Sequence, residues 1–196
     1  MDCICADLGA APASGVPQLY GLWRFESERY NSSVAKAETE PRIRTYLARD
    51  FPEIHRIDQI CFARDIAYSR AELLFYVRDP GAIVRVAELG GAVAGFVVGR
   101  VEAAHAAHVL TLDVLPEARR RKVGTALISA LHAELERRGI RVVVLEVDAK
   151  NEGAQRFYEG FDYRRIETLK GYYNGRSDAL RMVRGAAAPL NAERGL

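Results

Sequence analysis

Apolar positions along the chain recur in two distinct periods, and the switches between them mark out the elements. Val123, Leu127, Ala130, Leu131 and Leu135 fall at helical spacing on one face. Gly139 stops that helix, and Arg137 and Arg138 just before it suit its negative end. The next run, "RVVVLEV" at 141–147, is nearly continuous and apolar, as in a strand buried on both faces. "AIVRVAEL" and "AVAGFVVGRV" flank Gly90 and Gly91 and read as a β-hairpin. "RIRTYL" and "HVLTLDVL" read as further strands, as do "YRRIETL" and "DALRMV" near the end. Asp50 is placed to cap a helix over "FPEIHRIDQICF", with Pro52 in its first turn. "SRAE" at 69–72 is a capping box that opens a second helix, and Asn151 caps a short one through Tyr158. The predicted order is β-α-α-β-β-β-α-β-α-β-β, an α/β fold with a mixed sheet.

Residues 1–40 lack either period. "GAAPASGVP" is rich in small residues and proline, and "SERYNSSVAKAETEP" is polar. The expectation is a flexible segment at 1–40, a folded domain at 41–184 and a short tail at 185–196. Trp23, within "LYGLWRF", is the one residue of the segment suited to docking on the domain.

Composition narrows the function classes. The 196 residues are 49% apolar and 28% charged, enough for a sizeable core. A net charge of +2 and a pI near 8.5 are too mild to argue for nucleic acid as a partner. Cys3 and Cys5 form a lone C-x-C and Cys61 stands apart, so neither a zinc site nor a disulfide framework is implied, and no metal is expected. The N-terminus does not read as a signal peptide. No apolar run reaches the roughly 20 residues that span a bilayer. These features point to a cytoplasmic protein with no membrane partner.

The candidate chemistry begins with "RRRKVGTAL" at 119–127. Four cations run into a glycine where a helix begins. Cations at a helix N-terminus oppose its dipole unless an anion is present. Free N–H groups of the first turn and a glycine that admits close approach make this a phosphate-binding arrangement. A solvated basic helix start is the plainer alternative. Glu146 is the one charged residue inside "VVVLEV"; burial there would raise its pKa toward neutrality and suit it to take a proton from an amine. A carboxylate at the strand's end that caps a neighbour would look the same. Tyr158, seven residues after Asn151, is a phenol able to protonate a departing thiolate, or a core aromatic.

Taken together, "LEVDAKNEGAQRFYEGFDY", "ETLKGYYNGRSDALRM" and the basic loop resemble the GCN5-related N-acetyltransferase (GNAT) superfamily over about residues 42–184. Within it, the resemblance is to the RimI-like N-terminal α-amino acetyltransferases. It implies the GNAT fold, a mixed and mostly antiparallel sheet with helices on both faces. It implies acetyl transfer from acetyl-CoA to an amine, with a protein or peptide N-terminus as acceptor. Glu146 would be the general base and Tyr158 the general acid. The loop Arg119, Arg120, Arg121, Lys122, Val123, Gly124 and Thr125 would hold the pyrophosphate. Leu112, Asp113 and Val114 would pair with the pantetheine arm like an extra strand, and Asn151 would touch it. Tyr172 and Tyr173 would line the acceptor side, with His108 a further candidate there. Two residues depart from the family pattern: Lys122 stands for the first loop glycine and Asp162 for the glycine of Y-x-x-x-G-F. A lysine or small-molecule amine as acceptor, and a non-catalytic acyl-CoA-binding module, are the competing readings.

Overall fold

The computed structural model describes residues 40–103 and 105–185. The expected flexible segment, Trp23 included, and the tail lie outside the described residues except for Glu40 and Gly185.

The elements come in the expected order. They are β1 (Arg42–Thr45), α1 (Phe51–Cys61), α2 (Arg70–Arg78), β2 (Ala82–Leu89), β3 (Ala92–Ala103) and β4 (Ala106–Val114). Then follow α3 (Val123–Arg137), β5 (Val142–Asp148), α4 (Glu152–Glu159), β6 (Arg164–Tyr173) and β7 (Ser177–Arg184). The strands form one sheet of seven in the order β1-β2-β3-β4-β5-β7-β6. Every neighbouring pair is antiparallel except β4 and β5.

Local chemistry explains most boundaries. Gly90 and Gly91, both at positive φ, make the tight turn of the β2–β3 hairpin. Ser69 and Glu72 form the expected capping box at the start of α2: Glu72 N donates to Ser69 Oγ at 3.3 Å, and Ser69 N donates to Glu72 Oε2 at 2.9 Å. The Asp50 expectation needs correction. Asp50 precedes α1 but does not cap it, because a 3-10 turn at Ala48–Asp50 already leads into the helix. Its carboxylate reaches back instead to the Leu47 N–H at 2.7 Å and takes a two-point contact from Arg44 at 2.6 and 2.9 Å.

The helices lie on both faces of the sheet. Gly95 and Gly99 on β3 face α3, where an added Cβ at Gly99 would stand 2.7 Å from Leu131 Cδ1. Strand alternation turns Phe96 and Val98 between them to the opposite face, toward α1. All four positions are buried, and the core runs continuously through both layers with Ile54, Phe96, Leu127, Leu131 and Leu145 fully enclosed.

Candidate active site

The one parallel strand pair among the described residues makes the cleft. β4 and β5 are in register only at Ala106↔Val142, Ala107↔Val143 and His108↔Val144, and then part. A bulge contributes: Val98 pairs with Thr111 and Gly99 with Val109, so Leu110 is an extra residue that bends β4 away. Tyr68, on the α1–α2 connection, donates its hydroxyl to the Leu110 carbonyl at 3.3 Å. The opening has a volume of about 400 Å³ and is lined by residues of β4, β5, α4 and the two connections at its mouth.

Glu146, Asn151, Tyr158, Leu112, Tyr172 and Tyr173 all line this cleft. Tyr158 is buried, with its ring edge-on to Phe157 and Tyr163. Asn151 caps α4, its Oδ1 accepting from Ala154 N at 2.9 Å. That cap aims the helix so that Tyr158, seven residues on, faces the opening. Asp113 and Val114 are buried behind Leu112. Thr111 donates its hydroxyl to Asp113 Oδ1 at 2.8 Å, and the Val114 carbonyl accepts from Cys61 Sγ and Arg119 Nε, each at 3.3 Å.

The basic loop lies at the far end, where an added Cβ on Gly124 would be 3.7 Å from Leu112 Cδ2 and 3.6 Å from Phe157 Cζ. Arg120 and Lys122 both take the left-handed conformation, at φ 63° and 62°. Such residues at alternating positions turn main-chain N–H groups to one side and form an anion-binding concavity. Arg120, Arg121 and Lys122 are exposed and make no ion pair among the described residues. Asp162 also keeps the left-handed turn of the glycine it replaces, at φ 65°.

Glu146 differs from expectation. Burial pushes its carboxyl up, but hydrogen bonds and charge from His108 and Arg181 outweigh burial and hold it below the usual carboxylate range. His108 Nε2 meets Glu146 Oε2 at 2.6 Å, and Arg181 Nε donates to Glu146 Oε1 at 2.8 Å. Glu146 is therefore an ionised carboxylate rather than one poised near neutrality. His108 sits behind Glu146 and is not among the residues lining the cleft. Burial disfavours its charge, yet the two carboxylates beside it, Glu146 and Glu102, raise its pKa above the ordinary imidazole value.

Several residues at the mouth were not singled out in the sequence. Asn174, in the β6–β7 turn, donates its amide to the Asp65 carbonyl at 2.6 Å, and Arg176 pairs with the Asp65 carboxylate. The β6–β7 hairpin is thereby tied to the α1–α2 connection across the cleft. Tyr172 and Tyr173 pack edge to face beneath this tie, with ring centroids 5.1 Å apart. Arg181 carried a readable signal, since a lone cation inside "DALRMV" calls for a buried partner as the lone Glu146 does.

A sheet opened between two parallel strands, with a carboxylate and a phenol on the walls and a basic helix start at one end, suits acyl transfer. The chain belongs to the acetyltransferase (GNAT) family, whose model matches residues 41–163. It is 29% identical over 168 residues to an N-alpha-acetyltransferase of Sulfurisphaera tokodaii, covering 80% of this chain and 97% of that one. Among solved structures it is similar to Ard1 from Thermoplasma volcanium, with TM-score 0.69, 29% identity, and 76% and 99% of the two chains covered. It is also similar to the ribosomal-protein-S18-alanine N-acetyltransferase from Escherichia coli, with TM-score 0.68, 26% identity, and 77% and 97% covered.

Proposed function

We propose that residues 41–184 form a catalytic unit that transfers the acetyl group of acetyl-CoA to the N-terminal α-amine of a protein or peptide. The observation that carries this reading is the placement of Glu146, an ionised carboxylate on the wall of a cleft whose mouth is framed by Tyr172 and Tyr173. The tie between Asp65 and Asn174 across that mouth suits the slim end of a chain. The relatives named for α-acetyl transfer support the same acceptor.

The chain's own groups suit acetyl-CoA. β4 beyond His108 lacks a strand partner on the β5 side, so its main chain at Leu112, Asp113 and Val114 offers an edge to an amide-bearing arm. Val123, Gly124 and Thr125 open α3, where N–H groups lack helical partners, and the exposed cations of 119–122 add attraction for phosphate. When bound, acetyl-CoA supplies the acyl thioester and the thiol that leaves. Glu146 attracts the acceptor's ammonium form and takes the proton it loses, directly or through water. An α-amine, of pKa about 8, yields that proton more readily than lysine at about 10.4. Tyr158 gives a proton to the departing sulfur. A main-chain N–H of the parted β4 segment stabilises charge developing on the thioester oxygen.

Cys61 is a buried thiol whose Sγ meets the Val114 carbonyl, and no helix of the described residues is long and apolar enough to cross a membrane. With the cations of the loop assigned to phosphate of the co-substrate, we place the activity in the cytoplasm, with no nucleic acid or membrane as partner.

The test is acetylation of a peptide set by acetyl-CoA, comparing free N-termini, blocked N-termini and internal lysines. Product on free N-termini alone is expected. Product confined to lysines sinks the α-amine reading and leaves the lysine alternative.

A further inference from the structure

The ring of Tyr158 sits between two others, and both are anchored to α3. Phe157 meets it edge-on with centroids 5.2 Å apart and planes at 74°, and Tyr163 meets it at 5.6 Å and 66°. Phe157 lies against the first turn of α3, 3.6 Å from where a Cβ on Gly124 would stand. The Tyr163 hydroxyl and His132 Nε2 are hydrogen-bonded at 2.9 Å, about two turns further along the same helix. Phe161 fills the space between, with centroids 5.1 Å from Phe157 and 5.9 Å from His132. The main chain closes the set: the Tyr158 carbonyl accepts from Phe161 N at 2.9 Å and from Tyr163 N at 3.2 Å.

His132 and Tyr163 are both buried. Burial keeps the imidazole neutral, with its pKa pushed down to about 4, and pushes the phenol up. The charges that reach His132 are those of Arg184 and Glu136, which pair with each other at 3.0 Å. The contact is therefore unchanged over the working pH range, and neither group serves as a proton donor to the cleft. Leucine and phenylalanine would fill the same space without needing a partner, whereas a buried polar pair costs stability unless its bond is made. What the pair adds is direction: a phenol bonded at its tip holds its ring at one tilt, and that ring is the wall against which Tyr158 rests.

Resting on the reading of Tyr158 as the general acid, we propose that His132 and Tyr163 are positioning residues for it, so that α3, whose start receives the phosphates of acetyl-CoA, also sets where the Tyr158 hydroxyl stands relative to the sulfur at the cofactor's other end.

The physical need is one of register. Phosphates and sulfur lie at opposite ends of the pantetheine arm, while the groups that meet them lie on different helices, α3 and α4. A proton passes only within hydrogen-bond reach, and a misplacement of about 1 Å can cost roughly a hundredfold in rate. Contacts at two levels of α3, at Gly124 and at His132, fix both the height and the tilt of the end of α4 against it.

The test is a double-mutant cycle on the full chain, with acetyl-CoA and a peptide amine that the wild type acetylates. Tyr163→Phe keeps the ring and removes the hydroxyl. It should lower kcat about tenfold and leave both KM values within about twofold. His132→Leu should do the same, and His132→Gln, which can place an amide near the position of Nε2, should recover part of the loss. In a Tyr158→Phe background, Tyr163→Phe should cost nothing more, because the group it positions is gone. A slow Tyr158→Phe beside an unaffected Tyr163→Phe, or equal losses from Tyr163→Phe in both backgrounds, overturns the positioning role and leaves the acid standing. A Tyr158→Phe variant as fast as wild type overturns the acid and the proposal together. Acetylation of lysines alone overturns only the acceptor, and the cycle is then run on a lysine peptide. NMR of ring-labelled tyrosine in the free protein needs no turnover and decides the placement even if the wild type is inert toward every amine. Tyr163→Phe and His132→Leu should each shift the Tyr158 ring signals, and signals unchanged in both variants refute the proposal.

Discussion

Glu146 and Arg181 stand directly opposite each other on β5 and β7, and the guanidinium Nε meets the carboxylate at 2.8 Å. With His108 on the other oxygen, one carboxylate is shared by two cationic partners of different kinds. Arginine stays charged at every pH of interest, whereas histidine does not. The cluster therefore changes its charge with pH through His108 near neutrality and through Glu146 in acid.

This gives a signed stability prediction. The folded pKa of His108 is raised, so its contribution is full below about pH 6.5 and is lost as pH rises through the folded value. The folded pKa of Glu146 is depressed, so its contribution is present above about pH 4.3 and is lost as pH falls through the folded value. The melting-temperature gap between wild type and His108→Gln should widen as pH is lowered from 8 to 6. Calorimetry over that range checks it, and a constant gap would count against the pairing.

Asp58 on α1 should behave in the opposite sense to Glu146. It is fully buried, its Oδ2 accepts from Gln59 Nε2 at 3.0 Å, and its Oδ1 has no hydrogen-bond partner among the described residues. Burial pushes its pKa up to about 7. A raised carboxyl binds a proton in the fold that the unfolded chain releases, so the fold weakens as pH rises from about 4 toward 7. Asp58→Asn should stabilise by roughly 2 kcal/mol at pH 8 and by much less at pH 5. Denaturant titrations at the two pH values decide it, and equal effects would show that Asp58 is not a buried acid.

In the basic loop, strain and binding separate. Lys122 holds φ 62° at the start of α3, where glycine would sit without steric conflict. Lys122→Gly should leave the fold as stable or up to about 1 kcal/mol more stable, yet raise the KM for acetyl-CoA through loss of the ammonium. Arg121→Ala with Lys122→Ala should raise that KM about tenfold and change kcat less. If the double change left acetyl-CoA kinetics intact, the loop would not be the phosphate site.

The tie across the mouth should act on the acceptor alone. Asn174→Ala and Arg176→Ala remove its two contacts with Asp65. An exposed ion pair contributes about 1 kcal/mol or less, so melting should hardly change. The acceptor KM should rise several-fold while the KM for acetyl-CoA stays within about twofold. Steady-state kinetics with both substrates varied provides the check, and equal effects on the two would refute the assignment.

Most of the fold was legible because its signals are local. Gly90 and Gly91 mark the hairpin, Ser69 and Glu72 a helix start, and Val123 to Leu135 a helical face. Glu146 and Tyr158 could be picked out because a lone polar group in an apolar run, or at the end of a short capped helix, stands out in sequence. The protonation of Glu146 could not be read in the same way. It depends on His108 and Arg181, which lie 38 and 35 residues away along the chain. Sequence shows that a charge is buried; strand register shows what it meets. The tie between Asp65 and Asn174 escaped notice for the same reason, since it spans 109 residues and joins two turns that carry no periodic signal. Asp50 misled because a side chain that reaches back to Leu47 has the same sequence signature as one that caps forward.

The parting of β4 and β5 also has a mechanical meaning. The sheet is two smaller sheets, of four and three strands, sewn together by three residue pairs at one end of a common seam. Every other strand junction is a longer antiparallel ladder or, for β1, sits at an outer edge where nothing further depends on it. Tension applied across the strands would open the molecule at this seam first. A ligand that lies along the gap and bonds to the bare main chain on the β4 side would act as a temporary stitch, so the empty and loaded forms should differ most in how hard they are to pull apart.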